Sequence, residues 1–191
     1  MLQTRLVCMG TCKIRVSALH GLSKDAWSRH SDKGYKHYQV TELGFKYNMT
    51  DIQASLGLDQ LENIEKLWKK RKKIWNYYYD SFNNLNIELT SKAPNYIKNS
   101  YHLFQIKIFK TKSGLNRDEM ILKLHQKKIG IGVHYLSIAS HKYYKKVFGW
   151  ENTNYPNAYK IGKRTLSLPL SPFLKDNEVN YIVDNIKKIL N

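Results

Sequence analysis

The strongest pattern in the chain runs from residue 50 to residue 82, where Ile52, Leu56, Leu61, Ile64, Trp68, Trp75, Tyr78 and Phe82 recur mostly at steps of three, four or seven. That spacing places them on one face of a long α-helix. Thr50, with Gln53 three residues on, supplies a capping box for its start, and the Asn83-Asn84 pair and a polar segment to Asn99 mark its end. Between Tyr101 and Phe109 the period changes to two: His102, Phe104, Ile106 and Ile108 alternate with Leu103, Gln105 and Lys107, as in a strand with one face on a core. After a turn at Ser113-Gly114, Asn116 caps a second helix with Glu119 as its partner, and Met120, Ile121 and Leu124 form its buried stripe up to Lys128, with Gly130 closing it. Ile131 to Tyr135 reads as a short strand whose glycines admit a close neighbour. Helical stretches follow at His141 to Phe148, Asn157 to Leu166 and Asn177 to Leu190, the last capped by Asp176, while the prolines force Ser167 to Pro172 to be extended. Residues 1–12 show no such order; from Lys13 onward the text becomes regular, and Tyr35 to Leu43 leads into a turn at Gly44. The pattern predicts an α+β fold with a small sheet.

Composition agrees with a globular protein: 191 residues, 42% hydrophobic and 13% aromatic, are enough for a domain with its own core. The two cysteines, Cys8 and Cys12, suggest neither a disulfide framework nor a metal site, which fits a reducing cytoplasm. No apolar run is long enough to span a bilayer, and Arg5, Lys13 and Arg15 interrupt the N-terminal stretch that would otherwise resemble a signal peptide. The formal charge of +17 favours polyanionic partners, whether nucleic acid, acidic membrane or the diphosphate of a sugar nucleotide. Six of the eight residues from Lys66 to Lys73 are basic, but they interleave with Leu67 and Trp68 in helical register, the arrangement of a solvated helix face.

No phosphate loop, HExxH or GxSxG motif is present. Three places still offer chemistry. Gly44 to Asp51 puts Lys46 and Asn48 beside a helix start, where free N–H groups and the dipole favour a phosphate, although capping with Asn48 in a turn explains the same residues. His134-Tyr135 ends a glycine-flanked segment and could serve a cleft or simply the structure. His20-Gly21, followed by Ser23, Lys24 and Asp25, reads equally well as a loop and helix start.

The strings from His20 to Trp27, Gly44 to Leu58 and Gln60-Leu61 resemble consecutive signatures of the DegT/DnrJ/StrS sugar aminotransferases. Tyr101 to Phe104, Arg117-Asp118, Gly130 to Tyr135, Tyr143-Tyr144, Phe148, Pro156 to Ala158 and Ser167 to Leu170 continue the same text in order, so the resemblance covers Lys13 to Asn191. It implies the small C-terminal domain of a fold-type I enzyme that uses pyridoxal 5'-phosphate (PLP) to move an amino group from glutamate onto a nucleotide-linked keto-sugar, acting as a homodimer in making amino-sugars for surface polysaccharide. On this reading residues 13–48 are a remnant of the large PLP-binding domain, 49–82 form the connecting helix, 83–191 form the small domain, and 1–12 fall outside the family pattern.

No residue matches the family's cofactor-bearing lysine, which precedes the segment corresponding to His20-Gly21, so the resemblance implies no catalytic residue here and a chain inactive alone. Asn48 matches the asparagine that reaches the PLP phosphate of the neighbouring subunit. His134 and Tyr135 match a segment near the sugar-nucleotide pocket, and Lys46 and His20 join them as substrate-binding candidates. The rival expectation is a non-catalytic basic module that binds nucleic acid or a full-length partner, but no nucleic-acid motif supports it. A domain taken from a larger enzyme should also leave apolar surface uncovered, with the helix bearing Trp68 and Trp75 as the expected place.

Overall fold

A computed structural model describes residues 12–23, 37–109 and 114–190, and the chain divides into two compact units, residues 1–62 and 63–191. The Lys24 to Trp27 part of the first motif, Tyr35 and the turn residue Ser113 lie outside the described residues.

In the first unit a helical segment over residues 12–18 is followed by a close crossing of two extended strips. Leu19 bridges Lys46 and Leu22 bridges Val40, both antiparallel. Glycine is required twice here: Gly21 has φ +70° and a Cβ on it would lie 1.7 Å from the Glu42 carbonyl oxygen, while one on Gly44 would lie 2.1 Å from the Gly21 nitrogen. Helix α1, Asp51–Phe82, then begins at the expected capping box. The Gln53 N–H donates to Thr50 Oγ1 (3.3 Å), and the Thr50 N–H donates to Gln53 Oε1 (3.0 Å).

The second unit holds the hydrophobic core. Strands β1 (Ile87–Leu89), β2 (Phe104–Ile108) and β3 (Thr165–Leu168) form an antiparallel sheet in the order β1-β2-β3. Phe104 pairs with Leu168 and Ile106 with Leu166, so these four side chains share one face. Trp75 and Tyr78 of α1 meet Phe104 edge-on at ring distances of 5.3 and 5.2 Å. Helices α2 (Arg117–Gln126) and α5 (Asp176–Leu190) complete the core with Met120, Leu124, Val179, Ile182 and Ile186. Helices α3 (Lys142–Phe148) and α4 (Pro156–Arg164) lie between α2 and β3 in sequence.

Several expectations need correction. The α2 helix ends at Gln126, and Lys128, at φ 57°, makes the left-handed turn expected of Gly130. Ile131 to Tyr135 is not a strand: only Gly132 pairs, through an isolated bridge to Ser167. The expected helix to Leu166 stops at Arg164, because Thr165 to Leu168 pair with β2 on one side and Gly132 on the other. Asp176 lies inside the first turn of α5 rather than capping it, with its carboxylate 3.2 Å from Lys73 Nζ. Trp75 is 3% exposed and Trp68 half-buried; the uncovered part of α1 is its first half, where Ile52 and Leu61 are 75% and 64% exposed.

Candidate functional site

The site around His134 is built by the polar face of the sheet. Because side chains alternate, burying Phe104, Ile106, Leu166 and Leu168 on one face directs Gln105, Lys107, Thr165 and Ser167 to the other. Gln105 and Ser167 are directly opposite each other in the β2–β3 ladder. Ser167 then binds Gly132 from its other side, with its N–H donating to the Gly132 carbonyl (2.8 Å) and its own carbonyl accepting from Gly132 (3.2 Å). That pairing delivers His134, two residues on, to the same pair of side chains. His134 Nδ1 lies 2.9 Å from Ser167 Oγ, and Gln105 Nε2 donates to the His134 carbonyl.

Gly132 is the second requirement for this arrangement. A Cβ there would stand 2.5 Å from Cε1 of the His134 ring, so the imidazole occupies the space any larger residue would fill. The Tyr135 ring stands perpendicular to that of His134, 4.9 Å away, and is 74% exposed. Behind them Gly162 of α4 lies against the same loop, where a Cβ would meet Ser137 N at 2.8 Å and Tyr135 O at 3.1 Å. Buried Arg117 fixes that end of α4, its Nη1 donating to the carbonyls of Gly162 (3.3 Å) and Thr165 (3.2 Å). The result is a rigidly backed imidazole and phenol beside each other, one half-buried and one open to solvent.

The other candidates share the first unit. His20 donates its N–H to the Phe45 carbonyl (2.9 Å) and is adjacent to the Leu19–Lys46 bridge, so His20 and Lys46 lie side by side on neighbouring strips. Asn48 is exposed, two residues before the Thr50 cap. Its amide makes no hydrogen bond among the described residues, and neither do the N–H groups of Asp51 and Ile52 at the helix start. The two free N–H donors stand at the positive end of a 32-residue helix, with the Asp51 carboxylate offsetting part of that field.

Sequence reasoning singles out His134 but neither Gln105 nor Ser167. Gln105 is visible as a polar position in an alternating strand, and Ser167 as part of an extended segment. Nothing local to either shows that they face each other.

Residues 11–187 match the DegT/DnrJ/EryC1/StrS aminotransferase family. The chain belongs to that family. It is 38% identical over 179 residues to the spore coat polysaccharide biosynthesis protein SpsC of Bacillus subtilis, a match covering 93% of this chain and 46% of SpsC. Among solved structures it is similar to Spr1654 of Streptococcus pneumoniae, assigned as a sugar aminotransferase, with a TM-score of 0.74 at 32% identity over 92% of this chain and 41% of that one. PseC of Helicobacter pylori, an aminotransferase involved in pseudoaminic acid biosynthesis, shares the fold at a TM-score of 0.71 and 24% identity, covering 93% of this chain and 45% of that one.

The chain thus spans about half the length of the curated relatives it matches, and its α+β fold is that of the C-terminal part of fold-type I sugar aminotransferases. The family's cofactor is PLP, and Spr1654 has been solved in PLP, PMP and apo forms. Among the described residues no helix is long and apolar enough to cross a membrane.

Proposed function

We propose that this chain provides the C-terminal portion of a PLP-dependent aminotransferase that transfers an amino group from glutamate to a nucleotide-linked keto-sugar, in amino-sugar and surface-polysaccharide synthesis. The family match across residues 11–187 carries this reading. Its domain assignment follows: residues 13–48 belong to the cofactor-binding domain, 49–82 to the connecting helix and 83–191 to the small domain. The working unit is a cytoplasmic homodimer.

PLP, when bound, supplies the electron sink for moving the amino group. The residues of this chain bind and orient. Asn48 donates its amide to the cofactor phosphate of the neighbouring subunit, assisted by the free N–H groups of Asp51 and Ile52. On the substrate side, the His134 ring nitrogen not facing Ser167 and the Tyr135 hydroxyl reach hydroxyl or phosphate oxygens of the sugar nucleotide. Lys46 and His20 add donors for anionic groups of the substrate.

The test pairs this chain with the lysine-bearing portion of a related enzyme and titrates PLP. A charge-assisted hydrogen bond is worth on the order of 1.5–3 kcal/mol, so Asn48→Ala should weaken PLP retention roughly ten- to a hundredfold. Rescue in mixed dimers whose lysine-bearing subunit faces an intact Asn48 would support action in trans. Unchanged retention would return Asn48 to the role of a turn residue.

A further inference from the structure

We infer that Ser167 and Gln105 are positioning residues that hold neutral His134 in a single tautomer, with the proton on Nε2. Ser167 is only 4% exposed. Its hydroxyl carries one proton that needs an acceptor and lone pairs that can accept. Among the described residues the sole hydrogen-bond partner of this hydroxyl is His134 Nδ1, at 2.9 Å.

Two arrangements satisfy that distance. If Nδ1 carries the ring proton and donates, the serine O–H proton is left without an acceptor among the described residues. If Nδ1 is bare, the hydroxyl donates to it and both groups are satisfied. Leaving a buried donor unmade costs its full desolvation, whereas accepting at Nδ1 costs nothing, so the second arrangement wins. The ring proton then sits on Nε2.

Gln105 keeps the ring in place for this. It pairs with Ser167 across the ladder and binds the His134 backbone carbonyl, so one rung of the sheet holds the residue at both its main chain and its ring. Gly132 leaves the ring room to lie there, since a Cβ would collide with Cε1 at 2.5 Å. His134 therefore meets a ligand as a hydrogen-bond donor, recognising an oxygen acceptor such as a phosphate or a sugar hydroxyl. This last step rests on the reading of His134 as facing a sugar nucleotide; the tautomer does not.

The experiment reads the tautomer directly, without ligand, from long-range ¹H–¹⁵N correlations of the histidine rings of the whole chain, recorded well above the ordinary imidazole pKa of about 6.5. The His134 signals are identified by their loss in His134→Asn. The wild type should show one protonated Nε2 and one bare Nδ1, and Ser167→Ala should move both nitrogens toward an exchange average. A wild-type Nδ1–H signature, or a Ser167→Ala spectrum identical to the parent, would overturn the inference, and the wild-type spectrum decides even if the variant does not fold. Because no ligand is present, failure of the sugar-nucleotide reading would leave this result untouched.

Discussion

Tyr78 shows how much a single polar atom in the core can control. Its ring is fully buried between Phe82 and Phe104, and its hydroxyl donates to the Pro169 carbonyl at 3.0 Å. Burial pushes the phenol well above the ordinary tyrosine pKa of about 10, because the phenolate would have to form away from water. The folded chain therefore keeps a proton that the unfolded chain releases. The stability this represents is fully present below pH about 10 and is lost as pH rises above it. Denaturant melts of the wild type and Tyr78→Phe, at neutral pH and above pH about 10, should show the phenylalanine variant less stable by about 1 kcal/mol at neutral pH, for the donor lost to Pro169. Its disadvantage should shrink or reverse in alkali; equal alkaline losses in both proteins would show that Tyr78 ionises freely when folded. Tyr78 was legible in the sequence as an apolar helix position, but its partner was not, because Pro169 reaches it only through the tertiary fold. Gln105 and Ser167 stayed hidden for the same reason: each residue's polarity is visible, and the rung that joins them is not.

Elements were readable to the extent that their signals are local. The Thr50–Gln53 and Asn116–Glu119 boxes each act over three residues, and both start the helices they predict. Ends and strands set by distant partners were misread. Leu166 reads as the end of the helical stretch from Asn157, yet pairing with Ile106 draws it into β3, and the three residues of β1 carry too little alternation to stand out. The α2 cap offers a measurable case. Asn116 accepts from the N–H groups of Asp118 (2.9 Å) and Glu119 (3.1 Å), while Glu119 accepts from the Asn116 N–H (2.8 Å). Asn116→Ala should cost about 1 kcal/mol. Since Met120 and Leu124 are fully buried, the loss should appear as a lower midpoint of cooperative unfolding rather than as local fraying of α2. An unchanged midpoint would mean that water replaces the cap at no cost.

At the scale of the whole molecule two opposing surface properties meet. A formal charge of +17 keeps copies apart, while the first half of α1 and the strip before it leave Leu43, Met49, Ile52, Leu56 and Leu61 more than half exposed. Apolar side chains gathered along one helix and its lead-in are the kind of surface that soluble proteins cover with a partner. Charge repulsion is long-range and fades with salt, the Debye length falling from about 30 Å at 0.01 M to about 8 Å at 0.15 M. Apolar attraction is short-range and is not screened in this way. The purified chain should therefore sediment as smaller species at low salt and self-associate as salt is raised. Leu56 and Leu61 are 62% and 64% exposed, so replacing them costs the core nothing. The double variant Leu56→Glu, Leu61→Glu lowers the net charge by two, which by electrostatics alone would ease association. If the apolar face drives assembly, the variant should nonetheless stay dispersed at salt concentrations where the parent associates. Equal association of the two proteins in analytical ultracentrifugation would place the contact elsewhere on the chain.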